Sequence, residues 1–304
     1  MEQIIPPARK RALKAELKKA RHIPEASRGI LQSYLVDAQT CPLVVQEIGR
    51  LREIAFREKG GGTGKAVDLD RFDLDPSLGF RQLLVWNVLN NEIMGGYRIL
   101  TGNRCKLNAD GQPDMPSSHL FKFSDTFIKD VLPVTSELSR SYIVSDYQRN
   151  SLSAKRSIFV LDCLFTAICA LSKEEKMDNF FGKVTFYPDY PKEAFALLTA
   201  FLDKYCLDPA SVIPYNLYTV PELAEAPDIL KYDNYQEDYK ALLNWLHTKG
   251  YSLPPILKSY MNISPKLDYF RSGVNDEFGN VVEMGLLVKG KELIPERYNK
   301  FFKR

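Results

Sequence analysis

The sequence predicts a mixed α/β protein, on three observations. Apolar residues recur at helical spacing in some segments, most plainly Val44, Val45, Ile48, Leu51 and Ala55. Elsewhere they alternate or run unbroken in strand fashion, as over 82–86 and 93–100, with Asn90-Asn91 between them as a hairpin turn. Finally, 304 residues with 45% hydrophobic and 12% aromatic content can bury a large core.

In chain order, residues 8–21 read as a basic helix with a thin apolar stripe of Leu13, Leu17 and Ala20, opened by Pro6-Pro7 and stopped by Pro24. Two more helices are expected over 27–38 and 43–57. The glycine-rich run Lys59 to Lys65 reads as a flexible loop. It is not a phosphate cradle, because a helix precedes it and Ala66 follows Gly64-Lys65 where that motif needs Ser or Thr. After the hairpin come a strand at 138–144, a polar loop over 145–156 and an apolar helix over 157–171. A strand at 183–187, helices at 192–205 and 235–248, and a last strand at 281–288 complete the chain. Residues 207–234, rich in Pro, Tyr and acidic side chains, read as a surface insertion. The expected division is a basic extension over 1–25 and a single domain over 26–304, with the insertion around 190–250.

Charge and cysteine usage narrow the function classes. The net charge of +3 and the lack of a recognised module argue against a nucleic-acid partner. The basic residues nevertheless gather at one end: Arg9, Lys10, Arg11, Lys14, Lys18, Lys19 and Arg21 face only Glu2 and Glu16 within residues 1–21. Such a helix suits an acidic protein or an anionic membrane surface. Five widely spaced cysteines without a Cys-x-x-Cys pair favour a reducing compartment and argue against a disulfide framework. No apolar run reaches the roughly 18 residues that span a bilayer. The expectation is a cytoplasmic protein that touches a membrane without crossing it. His22, His119 and His247 sit in unrelated settings, so no metal is expected.

The residues that carry chemistry are charged groups set inside or beside apolar runs: Arg52, Asp70, Asp73, Arg98, Glu137 and Arg140. An unpaired charge in such a place costs several kcal/mol, so three arginines and three carboxylates predict a paired cluster in a cleft. Without a wider pattern, a Glu and an Arg near a strand end form an ordinary ion pair, and Asp70 and Asp73 serve as turn residues.

The wider pattern is present. Arg52-x-x-x-Phe56, Asp70-x-Phe72-Asp73, Gly95-x-x-Arg98 and Glu137-Leu138-Ser139-Arg140 together resemble the signature of the acyl-homoserine-lactone synthases. They are also similar to their relatives, the hemolysin-like ornithine and glycine N-acyltransferases of the GNAT superfamily. The tail Leu253 to Tyr260, with Asp276-Glu277-Phe278-Gly279 beyond it, is similar to the aminolipid-forming branch. The resemblance covers about residues 45–290.

It implies a GNAT acyltransferase fold, with a central, mostly antiparallel sheet that splays to admit an acyl thioester. The implied reaction transfers a fatty acyl group, with or without a 3-hydroxyl, from acyl carrier protein to the amine of ornithine, glycine or a similar amino acid, giving a lyso-aminolipid. No bound cofactor is implied; the donor is acyl carrier protein or acyl-coenzyme A. Glu137, Ser139 and Arg140 become the catalytic group, with Glu137 the base or water-orienter. Ser139 is not read as a nucleophile, since no histidine lies near it in sequence. Arg140 would face away from Glu137 in an extended strand unless a bulge re-aims it, and such a bulge is what the resemblance implies. Arg98 or Arg52 would clamp the acceptor carboxylate, Asp70 and Asp73 would orient them or bind the amine, and Phe56 and Phe72 would shape the entrance. Arg149, Asn150, Lys155 and Arg156 would take the phosphate of the phosphopantetheine arm.

Two departures matter. The Trp that the lactone synthases carry after the match to Phe56 is replaced by the glycine-rich loop. The glycines of the coenzyme A pyrophosphate loop are missing from Gln148 to Ala154. Two alternatives stand beside the aminolipid reading: a lactone synthase, which would consume adenosylmethionine, and a catalytically silent lipid- or carrier-binding module.

Overall fold

The computed structural model describes residues 1–145 and 151–294, with the backbone alone over 151–156. Its frame is an eight-stranded sheet with helices on both faces. The strands are β1 (Arg21–Arg28), β2 (Leu31–Val36), β3 (Arg81–Asn87), β4 (Glu92–Thr101), β6 (Thr135–Ile143), β7 (Asn179–Phe186), β9 (Asp268–Asn275) and β10 (Val281–Lys289). Their order across the sheet is β1-β2-β3-β4-β6-β7-β10-β9. Every neighbouring pair is antiparallel except β6 with β7, which run parallel. A two-stranded sheet of β5 (Phe121–Phe123) and β8 (Val212–Pro214) stands beside it.

One face carries α1 (Lys10–Leu17), α2 (Pro42–Arg57) and the single turn α3 (Arg71–Leu74). Leu13 and Leu17 of α1 pack with Val44, Val45 and Ile48 of α2 over Leu84, Trp86 and Ile93 of the sheet. The opposite face carries α4 (Ser151–Glu175), α5 (Lys192–Tyr205), the short α6 (Ala226–Ile229), α7 (Tyr235–Thr248) and α8 (Pro255–Ile263). There Val160, Cys163, Leu164, Ala167 and Leu171 of α4 cover Leu83, Val85 and Ile99. Helices α5, α7 and α8 cover Val184, Phe186, Met284 and Leu286.

The sequence-based helices over 192–205 and 235–248 coincide with α5 and α7, and the 90–91 turn joins β3 to β4. Residues 27–38 form no helix. They close the β1–β2 hairpin through Gly29, whose φ of +56° is a left-handed conformation that glycine adopts freely and a helix interior excludes. The basic helix likewise ends at Leu17 rather than 21, and Pro24 lies within β1 rather than stopping a helix. That strand is at the sheet edge, and its register with β2 is irregular between Ile23 and Arg28, which is where a strand tolerates proline. The residue 25/26 boundary falls inside β1. Helix α4 starts at Ser151, six residues before the expected 157, and runs to Glu175.

The glycine-rich loop is pinned, not loose. Glu53 is fully buried and its carboxylate accepts hydrogen bonds from the Thr63 and Gly64 amides (3.1 and 2.8 Å) and the Thr63 hydroxyl (2.8 Å). Burial alone would raise the Glu53 carboxyl, but these donors and Arg57 Nε at 2.6 Å hold it below its usual range.

Candidate active site

Strands β6 and β7 pair only from Thr135↔Asn179 to Leu138↔Gly182; beyond that the structure records no further pairing between them. At the same point β6 carries a bulge. Gly96 opposes Tyr142 and Arg98 opposes Ser139, so Tyr97 faces two residues, Arg140 and Ser141. Arg140 takes φ +52°, which turns its side chain to the face on which Asp68 and Asp70 stand. Gly95 and Gly96 fit this crossing because a Cβ on either would lie 2.6 Å from the Tyr142 carbonyl oxygen or 2.5 Å from that of Leu83.

Behind the opening lies a buried ionic network. Arg52 on α2 grips Asp73 through both Nη atoms, at 3.0 and 2.9 Å, and its Nε lies 3.0 Å from Asp68 Oδ2. Its Nη2 also donates to the Asp68 carbonyl. Gln82 donates to Asp73 Oδ1 at 2.7 Å. Arg98 Nη1 reaches Asp70 Oδ1 at 2.7 Å and Asp73 Oδ2 at 3.2 Å, while its Nε donates to Ser139 Oγ at 3.2 Å. Arg140 Nε lies 3.2 Å from Asp68 Oδ2, and its guanidinium sits 4.5 Å above the Phe278 ring. Burial alone would raise the Asp73 carboxyl, but Arg52 and Arg98 outweigh it and hold it well below the carboxylate range. Asp70 and Asp73 also cap α3: Asp70 accepts from the Phe72 and Asp73 amides, and Asp73 accepts from the Asp70 amide.

Glu137 sits beneath this layer with 2% exposure. It accepts from Ser117 Oγ at 2.8 Å and from Ser139 Oγ at 3.4 Å. Burial pushes its carboxyl above the usual range, against the opposing pull of Arg98 and Lys183. Ser139 is half-buried and therefore nearer the opening than Glu137.

Two cavities lie on opposite faces of the sheet at this place. A polar one of about 780 Å³ is lined by Asp68, Asp70, Phe72, Arg140, Lys183 and Phe278, among others. A largely apolar one of about 270 Å³ lies between α4 and α8, against Leu138, Leu161, Phe165, Ile168, Cys169 and Phe180. Of the nominated residues, Asp70, Phe72 and Arg140 line the polar cavity. Arg52 and Arg98 are at most 1% exposed, and Arg52 makes its bidentate clamp with Asp73. Phe56 packs edge-on against Phe278 at 5.1 Å and so supports the wall from behind. Arg149 and Asn150 lie outside the described residues; Lys155 and Arg156 fall in the first turns of α4, where only the backbone is described. Sequence reasoning missed Asp68, Ser117, Lys183 and Glu283. Only Asp68 left a signal, in the spacing Asp68-x-Asp70-x-x-Asp73.

The chain is 37% identical over 302 residues to a glycine Nα-acyltransferase of Phocaeicola vulgatus, covering 98% of this chain and 91% of that protein. The chain belongs to the glycine Nα-acyltransferase family. A second member, from Bacteroides thetaiotaomicron, is 39% identical over 302 residues, covering 98% of this chain and 88% of its own. Residues 51–155 of this amino-acid N-acyltransferase match the acetyltransferase (GNAT) domain family. A solved structure of the CoA-dependent acyl-homoserine lactone synthase BjaI is 12% identical with a TM-score of 0.38, covering 94% of this chain and 88% of that one. Among the described residues of this N-acyltransferase, no helix is long and apolar enough to cross a membrane.

Proposed function

We propose that this N-acyltransferase joins a long acyl chain to the amine of glycine, taking the acyl group from the phosphopantetheine thioester of acyl carrier protein and releasing an N-acylglycine lipid. The observation that carries the reading is the pair of cavities, one apolar and one zwitterion-like, on opposite faces of the sheet where β6 and β7 part. The names of the two relatives support glycine over ornithine as acceptor.

The chemistry follows from the residues at the opening. A glycine amine attacks a thioester carbonyl only as the free base. As the free amine adds to the carbonyl, Ser139 Oγ takes one of the two protons on the attacking nitrogen and passes one to Glu137, whose carboxylate burial makes more basic. The Ser139 to Glu137 separation of 3.4 Å is long for a hydrogen bond between oxygens, as catalytic hydrogen bonds often are without substrate. The new C–N bond gives a tetrahedral oxyanion beside the bulge, where the interrupted ladder frees backbone N–H groups. Collapse breaks the C–S bond, and the thiolate takes back the proton held by Glu137. The acyl chain occupies the apolar cavity between α4 and α8.

All seven basic residues of the first 21 are exposed, while the apolar stripe of α1 is spent on α2. That leaves a cationic face suited to acidic acyl carrier protein, and to anionic lipid where the product is delivered, at about 1 kcal/mol per basic residue near such a surface. The test is mass spectrometry of lipids from a host expressing the chain beside one expressing Glu137→Ala. An N-acylglycine seen only with the unmodified chain supports the reading; its absence at normal protein levels, in a host that supplies acyl carrier protein and glycine, contradicts it.

A further inference from the structure

The cation best placed at the strand opening is one that no sequence motif marks. Lys183 follows Gly182, the last residue of β7 paired with β6, so it stands across the opening from Arg140 of the bulge. Both side chains line the polar cavity, and they are only 9% and 17% exposed. Lys183 Nζ is held 2.6 Å from Glu283 Oε2 on β10. Glu283, itself 4% exposed, also accepts from Asn275 Nδ2 at 3.0 Å and from Thr185 Oγ1 at 3.4 Å. An ammonium fixed in this way is aimed rather than free to follow solvent.

The other cations are less suited. Arg52 and Arg98 are sealed behind the cavity and matched by Asp68, Asp70 and Asp73. Arg71, also on the wall, is mostly exposed and paired with Asp114. On the acidic side, Asp68 is 1% exposed and lines the cavity. Neither of its side-chain oxygens receives a well-aligned hydrogen bond, although both Arg52 and Arg140 lie within ion-pair range. Two cations across a gap and an under-satisfied carboxylate beside them match a zwitterion.

We propose that Lys183 is a substrate-binding residue that, with Arg140, receives the α-carboxylate of the acceptor amino acid, and that Glu283 is its positioning residue. The assignment rests on the amino-acid N-acylation reading above. It makes a free α-carboxylate a requirement of the acceptor, so amines that lack one are rejected at binding.

The test is steady-state kinetics of the purified full chain with one acyl thioester and either glycine or glycinamide. The unmodified enzyme is expected to prefer glycine by about tenfold or more in kcat/KM, the scale of a lost charge-assisted contact. Lys183→Met is expected to raise KM for glycine by about tenfold, leave kcat within about threefold, and erase most of that preference. Lys183→Arg should retain most of it. Glu283→Gln should raise KM for glycine without lowering kcat, which a purely structural role would not do. Because Lys183→Met leaves Glu283 buried and unpaired, the double variant Lys183→Met/Glu283→Gln is measured beside it. An active enzyme whose Lys183 variants keep the original KM and preference overturns this assignment alone. A folded unmodified chain that forms no acylglycine overturns the N-acylation reading, and this inference with it.

Discussion

Replacing Arg52 with methionine removes the cation at the centre of the buried network while keeping a side chain of similar length. Arg52 is 1% exposed and makes two hydrogen bonds to Asp73, an ion pair with Asp68 and a bond to the Asp68 carbonyl. Its loss leaves two carboxylates, at 0% and 1% side-chain exposure, sharing Arg98 and Arg140. Removing one partner of a buried pair costs about 3 to 5 kcal/mol, because the remaining charge stays desolvated. At roughly 2 °C per kcal/mol for a chain of this size, the midpoint of melting should fall by about 6 to 10 °C. Adding Asp73→Leu to Arg52→Met should cost less than the sum of the single changes, since it removes one of the stranded carboxylates. Thermal unfolding followed by circular dichroism gives the midpoints, and urea unfolding of the same three variants gives the free energies for the cycle. A midpoint for Arg52→Met within about 1 °C of the unmodified chain, or strict additivity in the cycle, would refute the reasoning.

Three other expectations follow from the same geometry. Glu137→Gln should lower kcat by at least about tenfold and remove an acid limb that, in the unmodified enzyme, lies above the ordinary carboxylate value of about 4, because burial raises this group; an unchanged pH profile counts against it as the base. Filling the apolar cavity with Cys169→Phe should move the product distribution towards shorter acyl chains in mass spectrometry, and an unaltered distribution places the chain elsewhere. Asp73 and Glu53 are both held below their usual values. Their stabilising contribution is therefore complete above about pH 5 and is lost as the pH falls through the unfolded value near 4 towards the folded one; Asp73→Asn should flatten this part of a stability-versus-pH curve.

Much of the fold was legible where one physical signal dominated. The helices at α5 and α7 carry strong apolar periodicity, and the polar Asn90-Asn91 pair marks a turn between two apolar strands. Parity says only that Glu137 and Arg140 can share a face if the strand gains a residue; that it does so at Arg140 is what the family resemblance implies and what the register with β4 shows. The β1–β2 hairpin was misread as helix because Leu31, Tyr34 and Leu35 mimic a helical spacing over one turn; Gly29 was the contrary signal. Strand β9 and helix α8 gave short, mixed patterns that tertiary burial alone resolves. The buried ion cluster was legible because charges inside apolar runs demand partners, but which charge meets which was not. Lys183 and Glu283 are a hundred residues apart in the chain, and only the pairing of β7 with β10 brings them together.

The measurement that bears most directly on the account is incubation of the purified chain with carbon-13 glycine and a long-chain acyl thioester on acyl carrier protein, with both products followed by mass spectrometry. The account predicts one labelled N-acylglycine for each carrier thiol released, with Glu137→Gln slower by at least about tenfold. Thiol release without labelled acylglycine, or equal rates for the two proteins, would contradict it.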